Sequence, residues 1–217
     1  MKWGTVSRSP ERTAALDPRV ERSRAVIVAA ATEHFLRNGY VGSNVDDIAA
    51  QARVSKRTVY NVFGGKEQLF REILADALAT AEQFSRDIAA ALGTTDDVAA
   101  ELSNIGTKLA ATVLTGPVVG LRRLLIGEAE RFPDLATEYY QRAPGRVMAT
   151  LADGFRRCHQ RGVLHVNDAE LAAEHFGFLV MGASLDYALF EATTPPDAKR
   201  VEKRARAGVD AFLRAYR

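Results

Sequence analysis

Apolar positions recur at helical spacing along most of this chain and alternating strand patterns are missing, so the expected fold is all-α. Over Arg22–Asn38, the residues Val26, Ile27, Ala30, Ala31 and Phe35 share one face, and Gly39 stands where a left-handed residue closes a helix. The next segment, NVDDIAAQARVSKRTVYNVFGGK (Asn44–Lys66), predicts two short helices joined by a tight turn. Asn44 suits the N-cap of the first, which places Asp46 and Asp47 in a turn where the helix dipole favours anions. Ile48, Ala49 and Ala52 supply its inner face, and Ala52, Arg53 and Val54 form the turn. Ser55 suits the cap of the second helix, whose apolar positions Val59 and Phe63 are four residues apart. Lys56, Arg57, Thr58, Tyr60 and Asn61 are left to its outer surface. Gly64-Gly65 ends it, and Lys66-Glu67 opens a fourth helix carrying Leu69, Phe70, Ile73 and Leu74.

Further on, the punctuation is clear. The fourth helix should run to about Leu92 and stop at Gly93, and Thr94 with Asp97 has the spacing of a capping box for the next, which reaches about Leu114. Gly116-Pro117 opens another, closing at Phe132-Pro133. A long helical region then extends to Arg161, interrupted near Pro144-Gly145 and ended by Gly162. Asn167 with Glu170 predicts a second capping box, starting a helix to about Phe190. Thr194-Pro195 starts a last helix to about Ala215, since proline suits the first helical position. About nine helices, or slightly more, are expected.

An outer face of two cations, a hydroxyl, a phenol and an amide suits phosphates and base edges, while a plain helix hairpin with a solvated face is the alternative. The neighbouring segments decide between them. Ala30, Ala31, Phe35, Gly39 and Tyr40, then VDDIA (Val45–Ala49), VSKRTVYNVF (Val54–Phe63) and Lys66, Glu67 and Leu69 follow one another in a specific order over about fifty residues. The unit Arg24–Leu74 resembles the N-terminal DNA-binding domain of the TetR family of bacterial transcriptional regulators. Leu121–Leu135 (LRRLLIGEAERFPDL), with the later Gly-Val-Leu, Asp168 and Ala172-Ala173, is similar to the C-terminal domain of that family's AefR-like branch.

The resemblance implies a three-helix helix–turn–helix domain over 21–70 and a helical ligand-binding and dimerisation bundle over 71–217. It places Asn44, Ser55, Lys56, Arg57, Thr58, Tyr60, Asn61 and Lys66 at the DNA: Thr58 and Tyr60 on phosphates or bases, Lys66 on a phosphate at a helix start. Lys56, Arg57 and Asn61 are candidates for base reading. Two departures stand out. Arg53 occupies a turn position usually held by glycine, and Asp46 stands where some members place a base-reading cation.

The uncharged segment Phe176–Leu185 (FGFLVMGASL) is apolar on every side and must be covered on every side. The chain's own core can cover one side. A second copy is the simplest cover for the other, and full burial within one chain is the alternative. Together with the family's dimer of last-helix pairs, this assigns Phe178, Met181, Leu185, Val209 and Phe212 to a homodimer interface. Phe84, Phe155, Phe176 and Tyr187 are candidate walls of an effector pocket for an apolar or aromatic small molecule, or else ordinary core.

Composition narrows the class further. At 217 residues the chain can bury a headpiece core and a larger core. Its net charge of +2 conceals an asymmetry: residues 1–70 carry 11 Lys/Arg against 7 Asp/Glu, the remainder 18 against 20. The positive potential therefore lies at the helix–turn–helix end, as DNA binding requires. Residues 1–20 read as a disordered basic arm with Arg8, Arg12 and Arg19, either a solvated tail or a minor-groove contact. A single Cys158 excludes an intrachain disulfide and fits a reducing cytoplasm, with a structural or a redox role open. No apolar run reaches membrane-spanning length, and the start lacks a signal-peptide core. No metal-ligand spacing, phosphate loop or nucleophile elbow is present, so no enzyme, cofactor or metal site is expected. The reading is a cytoplasmic homodimer binding a double-stranded DNA operator, a repressor released by an effector. The alternatives are an effector-independent DNA-architectural protein and a helical small-molecule binder without operator function.

Overall fold

The computed structural model describes residues 18–191 and 196–217, and among them every regular element is a helix. The order is α1 Pro18–Gly42, α2 Val45–Gln51, α3 Lys56–Phe63, α4 Lys66–Thr94, α5 Val98–Leu114 and α6 Val118–Gly127. Then follow α7 Pro133–Arg142, α8 Pro144–Gln160, α9 Ala169–Met181, α10 Ala183–Phe190 and α11 Ala198–Tyr216. Most of the basic arm, with Arg8 and Arg12, and the Thr194-Pro195 helix start lie outside the described residues.

The headpiece is built as its pattern requires. Ile27, Ala31 and Phe35 of α1, Ile48 of α2, Val59 and Phe63 of α3 and Leu69, Phe70 and Ile73 of α4 meet in one buried cluster. Gly39 takes φ 71°, so the chain breaks from helical geometry where glycine permits it. The cluster does not stop at the headpiece. Leu121 and Leu125 of α6, Phe132 and Leu135 belong to it, and the Tyr40 ring lies 4.9 Å from that of Phe132, edge to face. Such ring pairs contribute roughly 0.5–1.5 kcal/mol beyond burial. The 29-residue α4 carries residues of both cores, and its ion pairs tie it to α7: Arg71 to Asp134 at 2.9 Å and Glu82 to Arg142 at 2.6 Å.

The body core is formed by α4, α5, α8, α9 and α11 around the rings of Phe155, Phe176 and Phe212, whose centroids are 5.0–5.7 Å apart. At Gly208 the backbone of α11 lies against that of α9: a Cβ there would stand 2.1 Å from the Leu179 carbonyl oxygen. Only glycine admits that approach.

Several boundaries differ from expectation. The cap of α5 is Asp97, which accepts from Ala100 N–H at 3.1 Å, and that of α9 is Asp168, which accepts from Leu171 N–H at 2.9 Å in place of Asn167; the Thr94 side chain lies outside the described residues. An ionised carboxylate at the cap makes the stronger, charge-assisted bond. The helix expected to continue to Phe190 breaks at Gly182 (φ 50°), and the α7–α8 break falls at Ala143, just before Pro144, as the restriction on a pre-proline residue demands. These breaks raise the number of described helices to eleven.

Candidate nucleic-acid interface and effector cavity

Two capping bonds and one turn set the angle between α2 and α3. The Asn44 side chain accepts from Asp47 N–H at 2.8 Å, and Ser55 Oγ accepts from Thr58 N–H at 3.1 Å. Between the helices Val54 N–H donates to Ala49 C=O at 3.0 Å and Arg53 N–H to Ala50 C=O at 3.1 Å. That pair of bonds is a Schellman motif, and Arg53 sits at its left-handed position with φ 54°. Helix α3 then buries Val59 and Phe63, which turns Lys56, Arg57, Tyr60 and Asn61 to the surface, with Thr58 half-buried. Among the described residues the side chains of Arg57, Tyr60 and Asn61 form no hydrogen bond or ion pair, so a guanidinium, a phenol and an amide are available on one face.

The other sequence-assigned residues are differently placed. Asn44 and Ser55 spend their side chains on capping; the Ser55 and Thr58 hydroxyls also bond each other at 2.8 Å. Lys56 pairs with Asp46 of α2 at 2.9 Å, and that partner raises its pKa first by hydrogen bonding and then by charge. Nothing in the sequence pointed to this pair, because ten residues and a turn separate the two. Lys66 is corrected. Its Nζ donates to Tyr40 C=O at 3.0 Å and Ser43 C=O at 2.9 Å and lies 4.4 Å from the Tyr40 ring centroid. The ammonium thus serves one carbonyl in the last turn of α1 and one in the link to α2, and at most one of its three donors is left for a phosphate.

In the body, an apolar cavity of about 80 Å³ lies between α4, α5, α6 and α8. Phe84 lines it, as the sequence suggested. Phe155 and Phe176 do not, because both are fully buried in the ring cluster with Phe212. Tyr187 is 57% exposed and turned away from the core. The residues that sequence reasoning missed are Arg122 and Tyr139. Arg122 is the one charged side chain among those lining the cavity, and burial raises the Tyr139 pKa while the charge of Arg122 partly offsets it. The available signal was an Arg122-Arg123 pair inside the otherwise apolar VVGLRRLLIG.

The dimer assignment also divides. Val209 and Phe212 are buried within the chain's own core, at 1% and 0% exposure, and therefore have no surface to offer a second copy. The amphipathic stripe of α11 is already consumed by α5 and α9. Phe178 is 75% exposed, and Leu179, Tyr187 and Phe190 are exposed beside half-buried Met181 and Leu185. Cys158 is free and buried, within 3.5 Å of Arg161. Among the described residues no single helix is long and apolar enough to cross a membrane.

Residues 27–73 match the bacterial regulatory proteins of the tetR family, and residues 100–217 match the C-terminal domain of AefR-like transcriptional repressors. The chain belongs to the TetR family. A TetR-family structure from Mesorhizobium loti, described as a transcriptional regulator, superposes with a TM-score of 0.76 at 32% identity, covering 92% of this chain and 99% of the other. The flavonoid-responsive regulator FrrA superposes with a TM-score of 0.63 at 27% identity, covering 91% and 98%. Among curated relatives, the HTH-type transcriptional repressor SCO4008 of Streptomyces coelicolor is 43% identical over 61 residues. That match spans 28% of this chain and 31% of the repressor. The proteins this TetR-family chain resembles are transcriptional regulators.

Proposed function

We propose that the protein is a sequence-specific transcriptional repressor that binds a two-fold-symmetric DNA operator as a homodimer and leaves it when a small apolar or aromatic effector occupies the body. Residues 21–70 are assigned to DNA binding and 71–217 to effector binding and dimerisation. The observation that carries this reading is the outer face of α3, where Arg57, Tyr60 and Asn61 stand free on a helix held rigid by Val59 and Phe63. A recognition helix needs such a face to enter a major groove, with Arg suited to guanine and Asn to adenine. The exposed Phe178, Leu179, Tyr187 and Phe190 support the homodimer, since an apolar patch of this kind on a soluble chain marks an interaction surface. Helix α6 supports the coupling: Val118 and Arg122 line the cavity while Leu121 and Leu125 pack in the headpiece core. The response of FrrA to flavonoids favours an effector of aromatic type. No catalytic step is part of this activity.

The test is footprinting on the DNA flanking the protein's own gene, beside a Tyr60→Ala control at matched salt. A symmetric protected site lost in the control is expected. Equal protection of unrelated DNA would favour the architectural alternative instead.

A further inference from the structure

The cavity and the groove beside it share Arg122, Pro144, Met148 and Met181. Arg122 therefore stands at a junction, between an apolar recess of about 80 Å³ and a larger groove of about 600 Å³. The inner walls are Phe84, Leu109, Val113 and Val147, with the phenol of Tyr139. Among the described residues Arg122 forms no hydrogen bond and no ion pair, although it is half-buried, whereas Arg123 next to it donates to the Ala188 carbonyl.

A half-buried guanidinium without an acceptor costs little while water reaches it. An apolar body in the cavity removes water from the side of the guanidinium that faces inward, and the cost on that side rises. A neutral ligand would leave the charge unpaired, and a cationic one would oppose it. A carboxylate compensates, because its two oxygens match the guanidinium fork. Tyr139 adds a second donor: its pKa is raised by burial, so the phenol keeps its proton through the neutral range. Carboxylates do line the far side of the groove. Asp153 and Glu170 are both bound to Arg156 at 2.6 Å, and Glu174 is exposed to solvent.

On this basis we propose that the effector is an amphipathic monocarboxylate, its apolar body in the cavity and its carboxylate held by Arg122 and Tyr139. This rests on the effector reading above and names the ligand class of that site. The test uses the full chain and three probes of equal length, octanoate, octan-1-ol and octylammonium, at one ionic strength, followed by calorimetric titration and thermal shift. Neither readout depends on knowing the operator. Octanoate is expected to bind best, and Arg122→Met to weaken it at least tenfold while leaving octan-1-ol unchanged. Arg122→Lys should retain part of the octanoate affinity, and Tyr139→Phe should lose several-fold; these two variants keep the test decisive if Arg122→Met fails to fold. Octan-1-ol or octylammonium binding as tightly as octanoate, or octanoate binding unaltered by the Arg122 and Tyr139 variants, overturns the carboxylate and leaves the cavity reading intact. No binding by any probe overturns both.

Discussion

Arg53 offers a measurement internal to the protein. It occupies the left-handed position of the Schellman motif that ends α2, with φ 54°. Helix α8 ends in the same motif, with Val163 N–H donating to Cys158 C=O at 3.0 Å and Gly162 N–H to His159 C=O at 2.9 Å, but there the position is glycine at φ 73°. A non-glycine residue in this conformation costs roughly 1–2 kcal/mol. Glycine gives back about 0.4–1 kcal/mol through the greater freedom of its unfolded chain. Arg53→Gly should therefore stabilise the protein by about 0.5–1 kcal/mol. For 217 residues the unfolding entropy is about 0.45 kcal/mol/K, so Tm should rise by about 1–2 °C. The assay is urea and thermal unfolding at a fixed protein concentration, with Arg53→Ala beside it. The Arg53 side chain is exposed and makes no hydrogen bond or ion pair among the described residues, so Arg53→Ala should stay within about 0.5 kcal/mol of wild type. Gly162→Ala should cost what Arg53→Gly gains. If Arg53→Gly is no more stable than Arg53→Ala, backbone relief is not at work and the account of the turn is wrong.

Three further outcomes follow from the same geometry. Lys66→Ala should destabilise the protein by about 1–2 kcal/mol, because two charge-assisted bonds, to the Tyr40 and Ser43 carbonyls, are lost. It should also leave the salt dependence of DNA binding unaltered; a slope lower by about one unit would return Lys66 to a phosphate. Gly208→Ala should cost about 3 kcal/mol or more, or prevent folding, since its Cβ would collide with the Leu179 carbonyl, and unaltered chemical denaturation would contradict that contact. Hydrogen bonding to Arg71 holds the Asp134 pKa below its ordinary value. A depressed folded-state pKa gives stability that is present above the unfolded value and lost as pH falls through the folded one. The stability difference between wild type and Asp134→Asn should thus be steady at neutral pH and shrink below about pH 4, and a difference independent of pH would remove Arg71–Asp134 from the α4–α7 contact.

What was legible in the sequence was local. Asn44, Ser55 and Gly39 act within three or four residues of themselves, so their roles follow from type and spacing alone. The outward face of α3 follows from Val59 and Phe63 for the same reason. What failed was the choice of partner. The stripe Val201, Val209 and Phe212 identifies an apolar face on α11 correctly, but periodicity does not say whether that face meets its own chain or another copy. Burial answers this in favour of α5 and α9, and leaves the second copy to Phe178 and its exposed neighbours. Lys66 failed likewise. A lysine at a helix start can serve a phosphate or nearby backbone carbonyls, and only the fold places those of Tyr40 and Ser43 within 3.0 Å of it. Arg122 was legible only as a charge in an otherwise apolar run, because its lack of a partner among the described residues is a property of three-dimensional surroundings.

The position of Arg122 also bears on how an effector could act. A ligand changes an equilibrium only through different affinities for its two states. Helix α6 is where such a difference can arise, since one of its faces carries Arg122 and Val118 into the cavity and another packs Leu121 and Leu125 in the headpiece core. At Gly120 the fit against α1 is close enough that a Cβ would stand 2.9 Å from Leu36 Cδ2. If a carboxylate draws Arg122 toward the cavity, Leu121 and Leu125 on the same helix carry that displacement into the core they share with Ile27, Ala31 and Phe35 of α1 and with Val59 and Phe63 of α3. The charge that selects the ligand and the helix that bears on the headpiece are then one element, so an apolar body lacking the carboxylate should fill the cavity yet leave DNA affinity nearly unchanged.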